Sequence, residues 1–126
     1  MQEQLYEFAV IRVVPKVERE EFLNAGIILF CKRKKFLKAV CTLSETKLRA
    51  FCNETDTAQV LANLSSLEKI AAGTKDSGPI GQMEIAERFR WLTAVRSTVI
   101  QTSRPHPGFT SDPEATLQRL LSELVL

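Results

Sequence analysis

The chain has 126 residues, 44% hydrophobic and 25% charged, with 17 basic against 15 acidic side chains for a net charge of +2. That length suits one domain able to bury a core without metals or disulfides, and so small a net charge excludes a molecule that is basic over its whole surface. No apolar run is long enough to span a bilayer, and the N-terminus M-Q-E-Q-L-Y-E lacks the basic and apolar regions of a secretion signal, so a cytoplasmic location with no membrane partner is expected.

Leu5 to Val14 is predicted as the first strand. Tyr6, Phe8, Val10 and Val14 share one face with Arg12 among them, while Leu5, Ala9, Ile11 and Val13 take the other. Apolar residues on both faces indicate a strand covered on both sides. Pro15 stops it, and a charged segment, Lys16 to Glu21, leads to a second buried strand from Gly26 to Cys31. Asn24 and Gly26 are expected to serve the backbone, Asn in a local bend and Gly at a bulge or close approach. After the basic turn Lys32 to Lys35, a third strand returns antiparallel over Phe36 to Leu43. A four-residue turn sets Cys31 opposite Phe36 and turns Cys41 to the other face, because side chains alternate, so no disulfide joins the two. A zinc site would need Cys31, Cys41, Cys52 and the single His106 to converge without any close ligand pair, and no metal or cofactor is expected.

Ser44 is a good N-cap for a short helix ending near Cys52, with Leu43 placed to pack on Leu48 as a hydrophobic staple. A second helix runs from about Thr55-Asp56 to Ala72 with Val60, Leu64, Leu67 and Ala71 on one stripe and Gly73 as its C′ residue. Gly73 to Gly81 holds three glycines and a proline and is the longest predicted loop and the best candidate for motion. A third helix covers about Gln82 to Ala94, burying Met83, Ile85, Ala86, Phe89 and Leu92. Thr98 to Thr102 is a short β-rich segment, followed by a loop containing Pro105 and Pro107. Ser111-Asp112-Pro113-Glu114 starts a last helix with Leu117, Leu120, Leu121 and Leu124 in its stripe. The order β-β-β-α-α-α-β-α predicts an α+β single domain, an antiparallel sheet of about four strands with helices packed on it.

The stretch richest in chemistry is Arg88 to Gly108. It carries the only Trp, the only His, four arginines (Arg88, Arg90, Arg96, Arg104) and five hydroxyl side chains, and it contains no acid. A surface normally mixes charge signs, so this pattern points to an anionic ligand or an acidic partner. Arg12 and Arg19 are candidates to join Arg88 and Arg96 around an anion, since guanidinium forks fit phosphate and carboxylate oxygens. Arg88 and Trp91, three apart on a helix, are surface neighbours. Arg96-Ser97 offers a hydroxyl and backbone N–H groups at a helix end but no glycine, so it is not a P-loop. His106, held between two prolines, is a rigid loop residue of the kind that carries function.

Two blocks, R-V-V-P-K-V-E-R-E-E-F-L-N-A-G-I-I-L-F-C (Arg12 to Cys31) and Arg88 to Gly108, resemble a bacterial family known as domain of unknown function 3037. The resemblance implies a small bacterial cytoplasmic protein and supplies no catalytic residues. It also implies a partner, since such proteins are often encoded beside kinase-like proteins of the persistence-toxin type. The residues and the resemblance together favour a non-catalytic accessory or protein-interaction module, anchored by an exposed aromatic such as Trp91 or Phe109. The alternative is an anion or nucleic-acid binder working through Arg12, Arg19, Arg88, Trp91, Arg96, Ser97, Arg104 and His106. A third reading, a phosphoester or ester hydrolase, pairs His106 with a hydroxyl such as that of Ser103.

Overall fold

The computed structural model describes residues 2–14, 21–51, 56–94 and 99–126, so Pro15, Arg19, Cys52, Arg96 and Ser97 lie outside the described residues. Strand β1 (Gln4–Val13) is the hub of a five-stranded antiparallel sheet. On one side it pairs with β2 (Leu23–Cys31), which pairs in turn with β3 (Phe36–Cys41). Its other side is shared end to end by two short strands, β4 (Ile100–Thr102) against Ile11 to Val13 and β5 (His106–Thr110) against Gln4 to Phe8. The helices are α1 (Glu45–Phe51), α2 (Thr57–Ala72), the single turn α3 (Gly78–Gly81), α4 (Ile85–Leu92) and α5 (Pro113–Leu124).

The two-faced apolar pattern of β1 and β2 places the sheet between two helical layers. Ala9, Ile11, Val13, Ile28 and Phe30 pack on one face under Leu48 of α1, Val60 and Leu64 of α2, and Phe89 and Leu92 of α4. On the other face Tyr6, Val10, Ile27, Leu29 and Cys31 meet Leu117, Leu120 and Leu121 of α5, together with Val125. A buried aliphatic side chain contributes about 1.5–3 kcal/mol, so both faces of β1 and β2 are strongly fixed in register. The hairpin turn is Lys32 to Lys35, with Cys31 opposite Phe36 as expected, and Cys31 and Cys41 are unpaired thiols in opposite layers.

Between β1 and β2 the register slips at Ile11/Arg12, where Ala25 is skipped and Asn24 comes opposite Arg12. Gly26 sits beside this bulge, and a Cβ there would collide with the backbone of Val40 and Cys41 on β3. It is the close approach expected of it. Asn24 acts at long range instead of in a local bend: its amide donates to the carbonyl of Leu124 (2.9 Å), fastening the end of α5.

Local signals set the helix starts. Ser44 Oγ accepts from Lys47 N–H, Asp56 from Gln59 N–H, and Asp112 from Ala115 N–H, with Pro113 opening α5. Gly73 (φ 70°) closes α2 in the left-handed conformation, its N–H reaching the carbonyls of Lys69 and Ile70. The segment after it, expected as an open loop, holds the turn α3 and is laced together. Ser77 Oγ and Gln82 Nε2 both donate to the Thr74 carbonyl, and Thr74 Oγ1 donates to Asp76. Helix α4 starts three residues later than predicted, and the proline-flanked segment at 106–110 is strand β5 where a loop was expected.

Candidate functional site

Arg12, near the end of β1, follows Val10 in the alternation and so projects to the α5 side of the sheet. Its guanidinium carbon lies 4.2 Å from the centre of the Phe22 ring, a cation–π contact. Its Nε is buried and has no hydrogen-bond partner. A small pocket of about 290 Å³ lies beside this contact, lined by Phe22, Leu23, Asn24, Lys47, Leu124 and Val125.

Arg88 is on α4, in the opposite layer. Its Nη1 donates to the Gly81 carbonyl (2.8 Å), and Gly73 leaves the space it occupies, since a Cβ there would strike the guanidinium. Arg88 therefore clamps the two ends of the α2–α4 connection together. Arg12 and Arg88 are on different sides of the sheet and do not share a cleft. Arg104 lies exposed in the link between β4 and β5, and Arg19, Arg96 and Ser97 fall outside the described residues.

His106 is the first residue of β5. It is exposed and its ring sits 5.4 Å from that of Phe8, tilted by 36°. Ser103, the hydroxyl nearest to it in sequence, is engaged elsewhere. Ser103 Oγ accepts the Val10 N–H (2.9 Å) and donates to the Arg104 carbonyl (3.0 Å), while its own N–H donates to the Val10 carbonyl. The serine side chain thus stands in for a strand backbone at the junction of β4 and β5. Cys41 offers no nucleophile either: burial, then the nearby charge of Glu68, pushes its thiol up to about 12, so it stays protonated at neutral pH. Among the described residues no group of three His, Cys, Asp or Glu side chains is placed to hold a metal ion.

A concavity lies between α2, α4 and β4. It is a cleft of about 420 Å³ whose apolar wall is Leu67, Ile70, Trp91, Leu92, Val99 and Ile100. Asn63, Ser66, Gln101 and Thr102 supply a polar margin. Trp91 is 38% exposed, and its lining neighbours among the described residues carry no charge. Of the candidate site residues that are described, only Trp91 lines this cleft. The α2 side is not evident from the core stripe, because Leu67 both packs against the core and lines the cleft. Asn63, Ser66, Leu67 and Ile70 follow the spacing i, i+3, i+4, i+7, so a second face of α2 was legible beside the core stripe Val60, Leu64 and Ala71.

A sheet with helices on both faces and an apolar cleft at one edge define an α+β domain, in which the described Arg12 and Arg88 lie on opposite sides of the sheet. The chain belongs to the family described as protein of unknown function (DUF3037), whose model matches residues 8–125. Neither a curated protein nor a solved structure matches it.

Proposed function

We propose that the protein is an interaction module that seats an apolar element of a protein partner in the cleft between α2, α4 and β4. The observation that carries this reading is the cleft itself: an exposed tryptophan at the mouth of an apolar wall whose margin, among the described residues, is polar and uncharged. Aromatic anchors in partly desolvated pockets dominate protein interfaces, and their truncation typically costs about 2 kcal/mol or more. The partner to test first is the kinase-like protein that the family resemblance suggests.

Trp91 is the chain's only tryptophan, so its emission reports on the cleft directly. Titration with the partner is expected to shift that emission, and Trp91→Ala is expected to weaken co-purification by about thirtyfold with the circular dichroism spectrum unchanged. Equal capture by the variant would overturn the reading. A second reading, anion binding, is favoured by Arg12, whose buried Nε has no partner and whose charge no carboxylate among the described residues neutralises; the Nε of Arg88 is likewise buried without a partner, but its Nη1 is taken by the Gly81 carbonyl.

A further inference from the structure

The outer edge of β5 carries the features of a strand built to pair with its own copy. On β1, Val10 directs both its N–H and its C=O toward the β4/β5 side, to Ser103 Oγ and Ser103 N–H. Backbone groups alternate along a strand, so Tyr6 and Phe8 face the same way. In the observed register Tyr6 opposes Gly108 and Phe8 opposes His106. These are then the hydrogen-bonded pairs, and the backbone groups of Pro107 and Phe109 point outward. The missing N–H of Pro107 therefore leaves the ladder to β1 intact, and Phe109 presents an outward N–H and C=O.

The side chains agree. Phe109 is 68% exposed and stands directly across from Leu5, itself 52% exposed, on a face where β1 is the only element in substantial contact with β5. Such an edge is a template for another strand. We propose that two copies of this chain pair antiparallel through β5, about a two-fold axis at Phe109.

Two observations select that occupant and that register. Centred on Phe109, each Phe109 exchanges both outward bonds with its counterpart; centred on Gly108, each Phe109 carbonyl would face the missing N–H of Pro107. The charges also match. The segment runs from the exposed Arg104 and His106 to the exposed Asp112. Antiparallel alignment on Phe109 sets His106 opposite Asp112 of the second copy, twice by symmetry. The facing Phe109 rings and the two Leu5 side chains close one apolar patch.

Sedimentation velocity on the full chain tests this. The wild type is expected to dimerise with increasing concentration. Phe109→Lys and Phe109→Glu each set like charges face to face at the axis, and each is expected to weaken dimerisation about tenfold or more with the fold intact, because the site is exposed. An equimolar mixture of the two variants is expected to associate again, since residue 109 faces its own counterpart. A wild type that stays monomeric, a Phe109→Lys protein that still dimerises, or a mixture that does not recover would each overturn the proposal. So would an edge that captures only a strand of another protein. Because β5 lies outside the cleft, loss of dimer in Phe109→Lys with retained partner capture separates the two readings.

Discussion

Ser103→Ala removes an oxygen at a point where β1 is bonded by a side chain in place of a neighbouring strand. Ser103 is buried, and its Oγ takes the N–H of Val10, itself buried in the α5-side core. Alanine leaves that N–H without an acceptor, and an unsatisfied buried donor costs about 1–3 kcal/mol. The second bond, to the Arg104 carbonyl, adds little, because Arg104 is exposed and water can replace the hydroxyl. The expected loss is therefore about 2 kcal/mol, which at a urea dependence of about 2 kcal/mol per molar lowers the unfolding midpoint by about 1 M. Ser103→Thr keeps the acceptor and should retain more than half of that stability. A midpoint within about 0.2 M of wild type for the alanine variant would refute the reasoning, as it would mean that Val10 finds another partner or that the junction is not bonded in this way. The same measurement bears on chemistry. A hydroxyl that already accepts one backbone bond and donates another is a structural group, and His106 has no hydrogen bond to it.

The remaining predictions concern a thiol and a charge. Folding raises the Cys41 thiol from 9.0 to about 12, through burial first and Glu68 second. Between those values the unfolded chain loses its proton while the folded one keeps it, so stability is fully present below pH 9 and falls as the pH climbs toward 12. The expected slope is about 1 kcal/mol per pH unit; urea titrations of wild type against Cys41→Ala isolate it, and identical pH profiles would refute it. For Arg12, anion binding predicts that retention on heparin falls steeply with salt and drops in Arg12→Gln; unchanged retention would leave its Phe22 contact as the whole of its role.

Much of the fold was legible because its signals are local. The hairpin register followed from counting four turn residues, and the side-chain period of two then placed Cys31 and Cys41 in opposite layers. The caps at Ser44, Asp56 and Asp112 and the left-handed Gly73 were readable for the same reason: each acts within a few residues of itself. Strand β5 was not readable. Pro107 demotes any strand assignment unless its missing N–H points away from the ladder, and that depends on the phase of β1, a hundred residues earlier. The loop after Gly73 was misjudged on composition, since its glycines and proline build a helical turn and make room for Arg88.

The arginines show where reading a site from sequence stops. Clustering along the chain and clustering in space part company at a sheet. Alternation sends Arg12 to the α5 side, while α4, packed through Phe89 and Leu92 on the opposite layer, carries Arg88 and Trp91 away from it. Among the described arginines of the acid-free run, Arg88 donates to the Gly81 carbonyl and Arg104 stands at the sheet edge. Apolar surface behaves differently, because nothing within the chain neutralises it. Trp91 in the cleft and Phe109 on the outer edge of β5 remain exposed after every helix has docked, and exposed aromatics fixed on regular secondary structure are where an association has to be sought.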